Sequence, residues 1–177
     1  LYDFVRQDEP ELYERIRRRV AEGRWEVEGG MWVEADCNLS GGESLARQFL
    51  YGQRFFEKEF GKRCRVLWLP DVFGYSAALP QLMKLSGIDY FMTTKLSWSE
   101  YNLTPYDTFM WKGIDGTKVL THFSPSREYF EAGHGEGHEG LSHYTTYNAL
   151  IQPSQIAGGW KRFQQKGIDD HFLVSYG

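Results

Sequence analysis

Two hydrophobic periods alternate along the chain. Asp8–Gly23, "DEPELYERIRRRVAEG", carries Leu12, Ile16 and Val20 four residues apart, the stripe of a core-facing helix. Pro10 sits in its first turn, acidic residues precede basic ones, and Gly23 is its stop. Arg24–Asp36, "RWEVEGGMWVEAD", mixes β-formers around Gly29 and Gly30 and predicts a strand or bulged strand ending near Asp36. Ser40–Gly61 opens with Ser40 and Glu43 at capping-box spacing and sets Leu45, Phe49, Phe56 and Phe60 at helical intervals.

The second half repeats the alternation. "RVLWL" (Arg65–Leu69) is continuously apolar, as a strand buried on both faces should be. "SAALPQLMKLSG" reads as a helix between Ser76 and Gly87, and "IDYFMTTK" as the next strand. Two parallel strands joined by a helix form a βαβ unit with a right-handed crossover. "DTFMWKGIDGTKVLTHF" predicts a hairpin around Ile114, Asp115 and Gly116. After a Gly/His-rich loop, "PSQIAGGWKRFQQKG" reads as a helix and "HFLVSYG" as a last buried strand. The class is α/β, in one piece, with no internal repeat, linker or low-complexity tract.

Composition narrows the function. With 177 residues, 41% hydrophobic and 25% charged, the chain can bury one substantial core. A net charge of −4 with interspersed signs leaves no basic footprint for nucleic acid. No apolar run is long enough to span a membrane. The two cysteines, Cys37 and Cys64, fit free thiols in a reducing, cytoplasmic compartment. A chain that opens on Leu1 and closes on Tyr176-Gly177 reads as an excerpt of a longer protein. Aromatics make up 16% of it, a supply of flat faces that serves core packing or sugar binding.

The candidate chemistry lies where strands end. In parallel α/β folds ligands sit at the carboxyl ends of strands, and Asp71, Asp36, Lys95 and the terminal "SYG" all fall there. They converge if the sheet curls into a barrel. Spacing alone leaves Asp71 equally a cap of the helix beginning at Ser76. Phe73 and Gly74 favour the other role, because an aromatic face and close backbone approach are things a simple cap does not need.

Other motifs are weaker. "HGEGH" puts His134 and His138 around Glu136 at zinc-like spacing, but three glycines between Gly133 and Gly137 oppose the helix that would align both rings. It reads as a loop, with His143 an adventitious ligand at most. His122 reads as a satisfied strand-end histidine, Gly113–Gly116 as a turn, and Cys37 as a small buried residue.

"WLPDVFGYSAALPQLMKLSGIDYFMTTKLSW" resembles the nucleophile segment of glycoside hydrolase family 38, the retaining α-mannosidases. "GGMWVEADCNLSGGESLARQFLYGQRFFEKEFG" and "TTYN" match the same family's longer pattern, in its microbial and cytosolic branch. The resemblance runs over the whole chain and is weakest at Ser124–Leu141. It implies that Asp71 is the catalytic nucleophile and a ligand of a divalent metal, usually zinc. It implies that Phe73 lies beside the bound sugar, that Lys95 reaches sugar hydroxyls, and that Asp36 belongs to the substrate site. The implied fold is a seven-stranded (β/α) barrel of the glycoside hydrolase/deacetylase type, of which residues 1–177 would be one partial catalytic domain truncated at both ends.

The same resemblance implies groups found elsewhere: a His-x-Asp pair ahead of Leu1, a histidine far beyond Gly177, and an acid/base Asp just after a "YG" like Tyr176-Gly177. The expected substrate is a mannose-containing oligosaccharide or glycoside. The expected behaviour of the 177 residues alone is no turnover, and they need not hold the metal by themselves. Linkage and oligomeric state are not encoded in these motifs. Two rivals stand beside this reading. A metal-dependent carbohydrate deacetylase would show an early Asp-Asp pair and a His-x-x-x-His helix, and a non-catalytic carbohydrate-binding module would need the aromatics alone.

Overall fold

The computed structural model describes residues 1–99, 101–102, 104–127 and 145–177. Helices α1 (Tyr2–Asp8) and α2 (Pro10–Ala21) precede the long helix α3 (Gly42–Phe60). Strand β1 (Val66–Trp68), helix α4 (Leu79–Leu85) and strand β2 (Tyr90–Thr93) follow, then the hairpin β3 (Thr108–Lys112) and β4 (Lys118–Phe123), and finally α5 (Pro153–Arg162). The sheet order is β1-β2-β4-β3. β1, β2 and β4 run parallel, and β3 closes the far edge antiparallel to β4.

The expected βαβ unit and the hairpin are both present. The hairpin turns where Gly116 takes a φ of 90° and Asp115 Oδ1 accepts the Thr117 N–H. The core lies between the sheet and α3 with α4: Phe49, Leu67, Leu79, Met83, Ile88 and Val119 are completely buried. A smaller cluster joins Ile16 and Val20 of α2 to Val27, Phe56 and Cys64. Gln53 inside this core replaces strand pairing for Cys64, donating to its carbonyl at 2.8 Å and accepting its N–H at 3.0 Å. Both Cys37 and Cys64 are buried free thiols, as their isolation in sequence suggests.

The seven-stranded barrel is not what the described residues form. They make a small, mostly parallel sheet of four strands within a mixed α/β fold. Two of the expected strands are reduced to single bridges, Gly29 to Leu67 and Ala149 to Tyr176. The cause at the first is local: Gly29 and Gly30 take φ of 138° and 83°, so the segment 24–36 cannot keep an extended ladder along β1. At the opposite edge β3 runs antiparallel and ends the parallel array.

Smaller corrections follow the same logic. Leu12 is exposed, and Tyr13 takes its place on the buried face of α2 with Ile16 and Val20. Ser40 caps nothing at α3, whose first turn follows Gly41 without a side-chain cap. Helix α3 itself approaches the chain closely at Gly52, where a Cβ would lie 2.5 Å from the Met31 carbonyl carbon.

Candidate active site at the ends of β1 and β2

Beyond Trp68 the β1 backbone leaves the sheet, and its polar groups are taken over one by one. Leu69 N–H still donates to the Met92 carbonyl at 3.1 Å. The Tyr75 hydroxyl then shares its one proton between the Leu69 and Val72 carbonyls, at 2.9 and 3.0 Å, and Thr94 Oγ1 donates to the Pro70 carbonyl at 2.6 Å. Tyr75 is itself packed edge-on against Phe91 of β2, and burial pushes its phenol upward, so it stays a neutral donor. The 69–75 turn is therefore fastened to the end of β2, and Asp71 stands at its crest.

Lys95 Nζ lies 3.2 Å from Asp71 Oδ1. The lysine side chain is only 9% exposed and the aspartate 42%, so the cation is sunk and the carboxylate open. Lys95 begins the short 3₁₀ turn Lys95–Ser97 directly after β2, which fixes its direction. Its ammonium sits 3.9 Å from the Trp98 ring centre, 5.4 Å from that of Tyr147 and 5.5 Å from that of Phe73. Such faces attract a desolvated cation. Phe73 and Trp98 meet edge to face at 6.5 Å and remain 64% and 42% exposed, so both keep apolar surface beside the open carboxylate.

The other Asp71 oxygen, Oδ2, accepts the Tyr147 hydroxyl at 3.0 Å. Tyr147 reaches it because Thr145 is bonded to the same corner: its N–H to Ser97 Oγ at 2.9 Å and its Oγ1 to the Thr94 carbonyl at 3.2 Å. Trp98 Nε1 donates to the Thr145 carbonyl at 2.7 Å. One more group arrives from the 24–39 segment. Glu34 Oε1 accepts the Asp71 main-chain N–H at 2.6 Å. Burial raises the Glu34 carboxyl above its usual range; the bond from Asp71 N–H works against this, Asp71's charge adds to it, and Lys95 counters.

Of the four strand ends expected to converge, the structure brings Asp71 and Lys95 together, with Phe73 beside them. It sets Asp36 in a turn of its own, where Oδ1 accepts the N–H groups of Asn38 and Leu39 at 2.8 Å each. That turn still borders the site, because a Cβ on Gly74 would lie 2.0 Å from the Asn38 side-chain nitrogen. Trp98, Tyr147 and Glu34 were not singled out from the sequence. All three lie inside the stretches that carry the family resemblance, and Glu34 also shares a face with Asp36 by two-residue alternation.

Metal binding can be tested on the donors. A carboxylate offers about four lone-pair sites, and Asp71 spends two on Lys95 and Tyr147, so it has room for a cation. It fits as one ligand and not as a set, since a zinc site takes three or more protein donors. Among the described residues one group of three has ligand atoms within 4.8 Å of one another, Asp169, Asp170 and His171, and Asp71 is not a member of it. His122 accepts the Leu173 N–H through Nε2 at 3.3 Å and contacts Thr108 Oγ1 through Nδ1 at 2.9 Å, a satisfied ring as expected. His134, Glu136, His138 and His143 lie outside the described residues.

A model of the glycosyl hydrolases family 38 N-terminal domain matches residues 1–177. The chain belongs to that family. Alpha-mannosidase G of Dictyostelium discoideum is 57% identical over 128 residues, which are 72% of this chain and 12% of that protein. Alpha-mannosidase 2C1 of Homo sapiens is 51% identical over 127 residues, again 72% of this chain and 12% of that protein. The chain therefore spans about one eighth of the length of these curated relatives. In fold it resembles an alpha-mannosidase from Enterococcus faecalis V583, with a TM-score of 0.65 at 20% identity, over 99% of this chain and 18% of that one. No helix among the described residues is long and apolar enough to cross a membrane.

Proposed function

We propose that the full-length protein is a retaining α-mannosidase, removing terminal α-D-mannosyl residues from oligosaccharides or glycosides, with Asp71 as nucleophile. The observation that carries this is the Asp71 carboxylate, 42% exposed, with Lys95 and Tyr147 on its two oxygens and the open faces of Phe73 and Trp98 beside it. A largely buried ammonium stands 3.2 Å from one carboxylate oxygen, and the hydroxyl of Tyr147 stands on the other, so the group is oriented through both. The aromatic faces suit the apolar side of a pyranose. Lys95, with three donors, can keep one on Asp71 and turn another to a sugar hydroxyl.

In a retaining reaction Asp71 attacks the anomeric carbon as the glycosidic oxygen leaves. A second carboxyl group roughly 5–5.5 Å away gives that oxygen a proton, and then draws one from the water that releases the sugar. The second group and the remaining metal donors belong to other parts of the full-length protein. A divalent cation, zinc by resemblance, would take Asp71 as one ligand and would supply Lewis-acid grip on the sugar hydroxyls. The 177 residues alone are then expected to be inactive. Two buried free thiols support a cytoplasmic setting for the enzyme.

The test is Asp71→Asn in the full-length protein, assayed on an aryl α-mannoside. Sugar binding should persist while hydrolysis collapses, and a mannosyl adduct trapped with a slow substrate should map to the peptide containing Asp71. Undiminished hydrolysis by Asp71→Asn would refute the assignment. Clear turnover by residues 1–177 alone would refute the claim that the other groups lie elsewhere.

A further inference from the structure

Four polar main-chain groups of the turn that bears Asp71 are taken by side chains: the carbonyls of Leu69, Pro70 and Val72 and the N–H of Asp71. Neutral hydroxyls, Tyr75 and Thr94, hold the three carbonyls. The Asp71 N–H goes to a carboxylate, Glu34, at 2.6 Å. The bond ties the Asp71 peptide to a segment 37 positions away in sequence.

We propose that Glu34 is a positioning residue for Asp71, gripping its peptide N–H from the 24–39 segment so that the carboxylate points at the open side. The inference rests on Asp71 being the nucleophile. The geometry explains why this grip is needed. The parallel ladder ends at Trp68, so the Pro70–Asp71 peptide makes no ladder bond; Thr94 Oγ1 holds its carbonyl from the β2 side and Glu34 holds its N–H from the other. Lys95 and Tyr147 reach only the side-chain oxygens, and a sugar must compete with them for those atoms. A fixed peptide lets the carboxylate exchange partners without swinging the backbone. A misplacement of about 1 Å at an attacking atom is enough to cost on the order of 100-fold in rate.

The experiment compares Glu34→Ala, Glu34→Gln and Glu34→Asp in the full-length protein, alongside Asp71→Asn, by steady-state kinetics on an aryl α-mannoside and by thermal melts. Glu34→Ala should lower kcat about 10-fold to 100-fold while KM moves less than about twofold. Glu34→Gln keeps an oxygen acceptor at the same reach and should restore most of kcat; Glu34→Asp, one methylene shorter, should not. Should Glu34→Ala fail to fold, the contrast between Gln and Asp carries the test. Wild-type kcat in both Ala and Asp variants would overturn the proposal, as would a Gln variant no better than Ala. A loss confined to KM would do so too, since it would make Glu34 a substrate contact. If Asp71→Asn stays active, the nucleophile assignment has failed; if it is dead while the Glu34 variants are unchanged, only the positioning role has.

Discussion

The Tyr147 hydroxyl donates to Asp71 Oδ2 at 3.0 Å, across 76 positions of sequence. Asp71 is thereby held through both oxygens, one by an ammonium and one by a neutral phenol. The two donors differ in how they respond to substrate: the phenol has one proton to give, whereas the ammonium can give several.

Tyr147→Phe removes the single donor and leaves the ring against Lys95. Hydrogen bonds to a charged partner are worth about 1.5–3 kcal/mol. If the bond persists on the non-attacking oxygen in the transition state, kcat in the full-length protein should fall about 10-fold to 100-fold. Measuring kcat and KM separately checks this. An unchanged kcat would mean that the tyrosine has left the carboxylate before the reaction.

Lys95→Met keeps the stem that packs among Phe73, Trp98 and Tyr147 but deletes the charge. Asp71 is nearly half exposed, so solvent screens the pair and the loss of stability should be small. Activity should suffer more, by about 100-fold in kcat/KM, because both the orientation of the nucleophile and a donor to the sugar are affected. A melt shifted strongly with activity intact would reverse this assignment.

Gly52→Ala tests the frame behind the site. In a solvent-facing helix interior this substitution stabilises by about 1 kcal/mol. Here the new methyl group would press on the backbone at Met31 and Gly30, with atoms at 2.5, 2.7 and 2.8 Å, and backbone cannot swing aside as a side chain can. Overpacking of this kind costs about 1–3 kcal/mol, a fall in melting temperature of roughly 2–12 °C for a domain of this size. A rise in melting temperature would show that the 30–31 segment yields.

What was legible in the sequence follows from what is local. The Val66–Thr93 unit was readable because a continuous apolar run, a helix and a second apolar run need no distant partner to declare themselves. Asp71 and Lys95 were readable as strand-end residues for the same reason. The 24–36 segment was not, since its β-forming composition is overruled by two glycines at positive φ. The expectation of a seven-stranded barrel came from resemblance, and four strands are what the described residues form. Glu34 was missed because its bond to the Asp71 N–H spans 37 positions and depends on where that segment turns. Asp36, two residues on, had the better sequence position and instead closes its own turn.

His122 supplies a pH-dependent prediction away from the site. Its Nε2 accepts the Leu173 N–H, so Nδ1 carries the proton and donates to Thr108 Oγ1, which is the neutral tautomer. Burial lowers its pKa from 6.5 to about 4, with Asp169 acting weakly the other way. An unfolded chain would take up a proton near 6.5 while the folded one resists until about 4, so the unfolded state binds more protons in that window. The stability tied to this ring is complete above pH 6.5 and drains away as the pH falls toward 4. Carboxylates titrate in the same range, so the informative quantity is the difference from His122→Gln, whose amide oxygen can still accept from Leu173. Melting temperatures between pH 7 and 4 should fall more steeply for the wild type than for the variant. Parallel curves would mean that the ring is protonated in the fold as readily as outside it.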